Sequence, residues 1–304
     1  MNFHGIVPPV LTPLHPDGSL DLPSLDRLVD HLVDAGVDGL FVLGSSGQVA
    51  YFTDAERDTI TARVVDRTAG RVPVVAGAMD LTATRVVEQG RRLSALGVDG
   101  VVVTAPLYAL NDDAEIACHF RMVAAGVDVP VIAYDVPVRV GGRKLSLDLL
   151  LALGAEGTIK AVKDSSGDDV GFRRLVARNA EAGHPLDLLS GHEVMCDAMG
   201  LLGADGAVPG LGNVDPAGYV RLWKSAQAGD WAAAAAEQAR LERLFRIVDV
   251  VRGRSGDAGG IGVFKVALAI LGVIDSPAMP APLETLGAAE TTAVAKILAD
   301  VGLS

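Results

Sequence analysis

Short, continuously apolar runs recur along this chain and alternate with longer segments in which apolar residues follow helical spacing. The runs predict eight strands, at residues 5–12, 39–44, 73–77, 100–105, 130–134, 159–164, 186–191 and 206–209. A strand that is apolar on consecutive residues is buried on both faces, as in a parallel sheet covered by helices. The segments between the runs supply those helices, and the clearest amphipathic ones are 25–35, 80–96, 114–125 and 147–153.

A glycine-rich phrase precedes three of the predicted strands. It reads G-V-D-G at residues 36–39 and 97–100, and G-A-D-G at 203–206. We interpret it as a helix that ends at a glycine in the left-handed conformation, followed by a tight turn and a buried strand. The first two copies begin at residues 36 and 97, a spacing that suits two βα units of roughly 30 residues each.

Eight βα units fit a closed barrel, so the predicted fold is an α/β protein with a (β/α)8 TIM barrel. The alternative is a doubly wound open sheet, but no Gly-x-Gly-x-x-Gly follows the first predicted strand. Helical spacing continues beyond the eighth strand for longer than one barrel helix requires. We therefore predict a (β/α)8 barrel over residues 1–225 and a C-terminal helical region over 226–304, with a mobile glycine-rich loop at 252–262.

Composition and charge exclude several classes of protein. The net charge is −12 and no cluster of Lys and Arg provides a basic face for phosphates, so no nucleic-acid partner is expected. No apolar stretch reaches the roughly 18 residues of a membrane span, and no signal peptide is recognisable. The two cysteines lie far apart, and neither HExxH nor a tight histidine set occurs. We expect a cytoplasmic protein without a metal site or a membrane partner.

A lysine near the end of strand six is the first candidate for chemistry, because a parallel barrel carries its active site at the carboxyl ends of its strands. The strand reads I-K-A-V-K-D over 159–164, and its lysines, Lys160 and Lys163, point to opposite faces. Lys163 can face the barrel mouth. In an apolar pocket its neutral amine could form a Schiff base with a ketone; alternatively, it pairs with a carboxylate at the rim.

Other strand ends carry further polar residues. Tyr134 ends strand five and would face the same cavity as Lys163, where it could relay a proton or plug the barrel interior. Arg139 could bind a carboxylate through two hydrogen bonds, or it could be an exposed cation on a loop. The G-S-S-G at 44–47 could bind an anion or form an ordinary turn. The G-L-G-N at 210–213 could cradle a phosphate or form a close backbone wall for a small ligand.

Taken in order, these motifs resemble the dihydrodipicolinate synthase / N-acetylneuraminate lyase family of class I aldolases over nearly the whole chain. The most specific parts are G-S-S-G at 44–47, Y-D-V-P at 134–137 and V-K-D-S-S-G-D at 162–168. The resemblance implies a (β/α)8 barrel with a C-terminal helical region, in a homotetramer built as a dimer of dimers. It also implies pyruvate, or another small 2-oxo acid, and an aldehyde as partners, without a metal or other cofactor.

The resemblance assigns a role to each candidate residue. Lys163 matches the Schiff-base lysine, Tyr134 the proton-shuttling tyrosine, and Ser45 a hydroxyl of the same relay. Tyr108 matches a tyrosine that reaches into a neighbouring subunit's site. The positions that match substrate-binding residues are Ser45, Ser46 and Gly47 for the pyruvate carboxylate, Val208 for a backbone contact with pyruvate, Arg139 for a carboxylate of the aldehyde, and Glu193 for the chain of a sugar acid.

The implied activity is that of a carbon–carbon or carbon–oxygen lyase. D-S-S-G at 164–167 and G-L-G-N at 210–213 favour a lyase of 2-keto-3-deoxy sugar acids or N-acetylneuraminate. Arg139 favours 4-hydroxy-tetrahydrodipicolinate synthase, which joins pyruvate and aspartate semialdehyde. A phosphate-binding barrel enzyme and a non-catalytic 2-oxo-acid sensor are further alternatives, although a sensor needs no proton relay. Gln48 and Leu107 depart from the glutamate and tyrosine common at these positions.

Overall fold

The computed structural model of the chain describes residues 3–303, and its centre is a sheet of eight parallel strands. The strands are β1 (Gly5–Ile6), β2 (Leu40–Val42), β3 (Val74–Gly77), β4 (Gly100–Val103), β5 (Val131–Asp135), β6 (Ala161–Asp164), β7 (Asp187–Ser190) and β8 (Gly206–Ala207). They are hydrogen-bonded in the order β1-β8-β7-β6-β5-β4-β3-β2. Bonds from Phe41 N to Pro8 O (3.0 Å) and from Val10 N to Phe41 O (2.8 Å) join β2 to the chain after β1 and close the barrel.

Helices alternate with the strands and continue beyond them. Over residues 3–303 they are α1 (Leu22–Asp34), α2 (Asp54–Thr68), α3 (Ala83–Ala95), α4 (Asp113–Gly126), α5 (Leu147–Ala155), α6 (Asp169–Glu181), α7 (Cys196–Leu202), α8 (Pro216–Gln227), α9 (Trp231–Phe245), α10 (Gly262–Ile270) and α11 (Ala288–Asp300). Helices α1 to α8 each follow the strand of the same number. The predicted TIM barrel with C-terminal helices is confirmed, and the doubly wound alternative is wrong.

The elements differ from the sequence predictions in three places. Strand β1 is much shorter than 5–12, because prolines 8 and 9 have no N–H to extend a ladder. Helix α8 runs through the predicted division at 225/226, and the division into two units stays a prediction. The segment Asp257–Ile261, expected to be loop, forms a π-helical turn that leads into α10. Burial of Ala258 and Ile261 compensates there for the low helix propensity of glycine.

The recurring glycine phrase lies at the amino-terminal end of the barrel, where it joins neighbouring strands. Its first glycines have φ of 87° (Gly36), 89° (Gly97) and 102° (Gly203), the left-handed conformation that the sequence predicts. The aspartate of each phrase forms two bonds with the strand before it, one through its backbone N–H and one through its carboxylate. The pairs, with N···O distances of 2.7–2.8 Å, are Asp38 with Ile6, Asp99 with Val74 and Asp205 with Leu188.

Side chains that alternate along the strands fill the barrel interior. Those buried at its centre are Val7, Phe41, Val75, Val102, Ile132, Ala161, Leu189 and Val208. They are mostly small or branched, which agrees with a chain whose aromatic content is only 4%. Towards the carboxyl ends of the strands, the same inward face carries Tyr134 and Lys163.

Three further properties concern residues 3–303. None of their helices combines the length and the apolar character that a membrane crossing requires. No three His, Cys, Asp or Glu side chains in this part of the chain are grouped so that they could hold a metal ion. Neither cysteine is in a disulfide, and Cys118 is exposed whereas Cys196 is buried.

The C-terminal region contains a second buried lysine. Lys265 on α10 is fully buried, and its Nζ donates a 2.9 Å hydrogen bond to the carbonyl oxygen of Ala278. Burial lowers the pKa of Lys265 to about 7. A buried amine is therefore not unique to the barrel, and what distinguishes Lys163 is the set of groups around it.

Candidate active site

Lys163 and Tyr134 lie side by side at the carboxyl ends of β6 and β5. They are register partners in the parallel pair, and their exposed fractions are 6% and 4%. Nζ of Lys163 lies 4.2 Å from the centroid of the Tyr134 ring and 4.9 Å from that of Phe41. Of the lysines in residues 3–303, only Lys144 comes within 4.0 Å of a carboxylate, so the interpretation of Lys163 as half of an ion pair is wrong.

The hydroxyl of Tyr134 lies among groups that act on its ionisation in opposite directions. Burial raises the pKa of this phenol, but the Lys163 ammonium and hydrogen bonds with Ser45 and Ser165 outweigh burial, and the pKa falls below its ordinary value. Ser45 Oγ lies 3.5 Å from Tyr134 Oη, and either atom could donate. The ring packs edge-on against Phe41 with centroids 6.3 Å apart. Such a chain of hydroxyls can carry a proton to or from a group bound at Lys163.

The turn after β2 presents the two serines of the G-S-S-G motif. It is closed by a 3.0 Å bond from Gln48 N to Ser45 O, with Gln48 in the left-handed conformation at φ 61°. A Cβ at Gly47 would lie 3.0 Å from the carbonyl oxygen of Val10, so the turn packs tightly against the chain that follows β1. Ser45 is thereby directed to Tyr134.

Backbone strain is concentrated just before this turn. Leu43 has φ of 56°, which is unfavourable for a branched side chain. Its carbonyl oxygen approaches Gly77 at the end of β3 so closely that a Cβ there would lie 2.1 Å from it. The glycine at position 77 therefore permits the path of the chain into the serine turn.

We expect Gly77→Ala to lower the free energy of unfolding by about 3 kcal/mol, because the added methyl group would displace Leu43 and the turn behind it. Urea unfolding measures the loss of stability, and activity should fall with it. Gly256→Ala is the matched control, since a Cβ at Gly256 meets nothing within 4 Å. Equal losses of stability in the two variants would contradict this account of Gly77.

The turn after β8 is held by a carboxylate of the chain itself. Glu193 accepts hydrogen bonds from Gly210 N (2.8 Å) and Leu211 N (2.9 Å). Two amides that a phosphate would need are thus already bound, and the interpretation of 210–213 as a phosphate cradle is wrong. Burial raises the pKa of Glu193 to about 7, against the effect of these amides and of Lys163.

This turn also forms a wall of the site. A Cβ at Gly210 would lie 3.0 Å from Glu193 Oε1 and 3.4 Å from Ser46 Oγ, so only a glycine fits between them without a shift. Val208, just before the turn, lines a small internal space together with Lys163. Of the predicted residues, Val208 therefore lies beside Lys163, and Ser46 and Glu193 lie together at the adjoining turn around Gly210.

A cavity of about 160 Å³ opens beside Ser45 at the barrel mouth. Arg139 lines this cavity, but its guanidinium already forms a bidentate pair with Asp257 of the π-helical turn, with a 2.9 Å bond from Nη1 to Oδ2 and a second bond from Nη2 to Oδ1. Tyr51 also donates to Asp257 Oδ2, at 3.2 Å. Sequence reasoning missed Asp257, because 118 residues separate it from Arg139 and no local pattern links the two.

A partly buried ion pair supports the strands that carry Tyr134 and Lys163. Lys144 donates to Asp135 Oδ2 at 2.8 Å and to Ser166 Oγ at 2.7 Å, and its Nζ lies 3.6 Å from Asp164. Asp135 is fully buried, and burial raises its pKa despite the partner. Sequence reasoning missed Lys144. A charged aspartate at the end of a buried strand was the available signal, because it requires a cation nearby.

Tyr108 is not brought to the site within one chain. It lies on the loop after β4 with φ of 69° and 97% of its surface exposed. Leu107, its neighbour, lines the cavity instead. The role that the resemblance implies for Tyr108 would therefore require a second copy of the chain.

Comparison with known proteins extends the likeness along the whole chain. The model of the dihydrodipicolinate synthetase family matches residues 2–301. An uncharacterized DapA-like lyase of Halobacterium salinarum is 36% identical over 307 aligned residues, which cover 100% of this chain and 95% of that protein. A 4-hydroxy-tetrahydrodipicolinate synthase of Methanoculleus marisnigri is 30% identical and covers 99% of this chain and 100% of its own length.

A solved structure agrees with these sequence relationships. YagE of Escherichia coli K12, a prophage protein of the dihydrodipicolinic acid synthase family crystallised with pyruvate, has a TM-score of 0.92 at 30% identity and covers 99% of each chain. By sequence, YagE is provisionally named a 2-dehydro-3-deoxy-D-gluconate aldolase, and it is 33% identical over 89% of this chain and 87% of its own. The chain therefore belongs to the dihydrodipicolinate synthetase family and is an aldolase or lyase of carbon–carbon bonds.

Proposed function

We propose that this protein is a pyruvate-dependent class I aldolase in which Lys163 forms the Schiff base. The observation that carries the proposal is a buried amine that has no carboxylate partner among residues 3–303 and lies against Tyr134, within reach of the hydroxyl relay from Tyr134 to Ser45. The pyruvate bound to the related YagE structure supports the choice of 2-oxo acid. The retained proton relay argues against a non-catalytic sensor.

The mechanism follows from the chemistry of these groups. Nζ of Lys163 attacks the carbonyl carbon of the 2-oxo acid, and loss of water leaves an iminium. The iminium withdraws electrons, so in cleavage the bond between C3 and C4 of the 2-oxo acid breaks and its electron pair forms the C2–C3 enamine. In synthesis the enamine carbon C3 adds to the aldehyde carbon. Tyr134 and Ser45 carry the proton that the reacting oxygen gains or loses, which avoids a free oxyanion in a buried site. Ser45, Ser46 and Gly47 bind the carboxylate of the 2-oxo acid, and the backbone of Val208 contacts the 2-oxo acid.

We assign the second substrate to the hydroxylated aldehydes, as in lyases of 2-keto-3-deoxy sugar acids or N-acetylneuraminate. Glu193 faces the same region as Ser46 and would contact the hydroxylated chain.

A cleavage screen of N-acetylneuraminate, 2-keto-3-deoxygluconate and 4-hydroxy-2-oxoglutarate, in parallel with borohydride trapping of pyruvate, tests the proposal. Trapping together with cleavage supports an aldolase. Trapping without turnover of any compound would favour a sensor, and absence of trapping would reject the Schiff base.

A second candidate is 4-hydroxy-tetrahydrodipicolinate synthase. It is favoured by Arg139 at the cavity and by the synthases among the relatives. A coupled assay with pyruvate and aspartate semialdehyde decides this alternative, and absence of turnover would reject it.

We also propose assembly into a homotetramer. The apolar side chains of Tyr108 (97% exposed) and Leu110 (95%) project from the loop after β4, and the adjacent Leu81 and Met122 are about half exposed. Contiguous apolar surface of this kind is typical of a face that binds another protein. A second copy of the chain would cover it and would bring Tyr108 to the neighbouring site.

Leu110→Asp should dissociate the assembly, because a charge would be buried at the contact between copies. Sedimentation velocity should show a lower mass, and activity should fall at least about tenfold if Tyr108 acts in the neighbouring site. Thr292→Asp adds the same charge on an exposed position of α11 and serves as the control. An unchanged sedimentation coefficient for Leu110→Asp would contradict this assembly.

A further inference from the structure

The cavity beside Ser45 contains a cation whose charge is already compensated. The Arg139 guanidinium and the Asp257 carboxylate both line it and form a two-bond fork with each other. The Arg139 side chain draws the pKa of Asp257 below its ordinary range, so the aspartate is ionised at neutral pH. This pair therefore presents one positive and one negative group and contributes no net charge.

Arg57, the second cation that lines the cavity, already has hydrogen-bond and ion-pair partners as well. Arg57 donates from Nε to the carbonyl oxygen of Val49 at 3.1 Å, and its Nη1 lies 3.4 Å from Asp54 Oδ1. The remaining polar lining is uncharged, and apolar side chains complete the wall. These groups are Ser45, Gln48, Tyr51 and Thr104 on the polar side, and Met79, Leu107 and Val136 on the apolar side.

The two possible kinds of aldehyde would meet this lining differently. The Arg139 guanidinium keeps N–H groups beyond the two that bind Asp257, but a terminal carboxylate bound to them would lie beside the ionised Asp257 and be repelled by its charge. If the terminal carboxylate displaced Asp257 instead, it would leave a half-buried anion without its partner. A hydroxyl group can donate to Asp257 and accept from Arg139 while the fork between them persists. Tyr51, which already donates to Asp257, shows that this carboxylate accepts from a hydroxyl in addition to the guanidinium.

We propose that Asp257 is a specificity-determining residue: by occupying Arg139 it selects an uncharged, hydroxylated aldehyde over one with a terminal carboxylate. This inference rests on the proposed aldolase function and adds a residue that sets the class of the second substrate. It places aspartate semialdehyde among the disfavoured acceptors, although Arg139 is present.

Two aldehydes on the same three-carbon frame test the inference. D-Glyceraldehyde ends in a hydroxymethyl group, and tartronate semialdehyde ends in a carboxylate. We would measure kcat/KM for condensation of each with pyruvate. The wild-type protein should favour glyceraldehyde by at least about tenfold, and Asp257→Asn should reduce this preference by at least about tenfold, chiefly through a lower KM for tartronate semialdehyde.

Controls separate charge from folding. Asp300→Asn makes the same change at an exposed position on α11 and should keep the wild-type preference. In Asp257→Asn/Arg139→Gln the gain for tartronate semialdehyde should disappear, because the freed guanidinium is absent. Circular dichroism checks that the variants fold, and the wild-type ratio is informative even if they do not.

The outcomes distinguish this inference from the function on which it rests. A wild-type preference for tartronate semialdehyde, or an unchanged ratio in folded Asp257→Asn, would overturn the specificity role while pyruvate trapping on Lys163 persists. Absence of trapping in the wild-type protein would overturn the aldolase and the specificity role together.

Discussion

Lys163→Arg should abolish the borohydride-trapped adduct with pyruvate and lower kcat for aldol cleavage by about 10⁴-fold or more, which is roughly 5 kcal/mol of transition-state stabilisation. Arginine keeps the positive charge and much of the length of the side chain, but its guanidinium is never neutral in proteins and cannot form the imine. Mass spectrometry of peptides from the reduced protein measures the adduct and its position. Binding of pyruvate should survive better than turnover, since Ser45 and Ser46 remain.

The chain offers two internal comparisons for this experiment. Lys160→Arg makes the same substitution on the exposed residue just before the same strand and should leave trapping intact. Lys265 has a pKa of about 7 and is therefore partly neutral, yet its amine is buried in the C-terminal region and bonded to Ala278. An adduct that persists in Lys163→Arg on Lys265, or on any other lysine, would contradict the assignment of Lys163.

Tyr134→Phe should lower kcat by about 10²- to 10³-fold, because it removes the hydroxyl that hands the proton to the reacting oxygen. The ring contacts with Phe41 and Lys163 are retained, so the fold and the position of the amine should change little. Borohydride should still trap the adduct, although more slowly. The limb of the pH profile that reflects ionisation of this phenol should disappear.

Tyr219→Phe is the matched control for Tyr134→Phe. Tyr219 is equally buried, and its hydroxyl donates to the carbonyl oxygen of Glu193 at 2.8 Å instead of joining the relay. Its loss should cost about 1 kcal/mol of stability without a comparable fall in kcat. If both variants lost activity equally, the effect of Tyr134 would be structural and the proton relay would be refuted.

Local pattern was sufficient for much of the fold and for the centre of the site. Consecutive apolar residues indicate buried parallel strands, and the alternation of side chains brings Tyr134 and Lys163 to one face once β5 and β6 pair. The left-handed glycines were equally predictable, because a helix that stops before a buried strand needs such a residue.

What could not be predicted depends on residues that are distant in sequence. Asp257 meets Arg139 only because the C-terminal region folds back over the barrel mouth, and nothing near either residue indicates the partner. The need for glycine at position 77 arises from the carbonyl oxygen of Leu43, which lies just after β2 and is distant in sequence. The exposed loop around Tyr108 is a similar case, because the role proposed for Tyr108 would require a second copy of the chain.

The paired bonds made by the aspartates of the glycine phrase suggest how this barrel could be recombined. They link β1 with β2, β3 with β4, and β7 with β8, whereas Lys160 stands before β6 and links it to β5 through the backbone alone. Each linked pair of strands, with the helix between them, is a βαβ unit that makes up about a quarter of the barrel, and hydrogen bonds join its two strands at their amino-terminal ends. Chimeras with relatives should therefore tolerate exchange of whole quarters better than crossovers within one. Tyr134 and Lys163 would be exchanged together with β5 and β6, and Ser45 with β1, β2 and the turn that follows them.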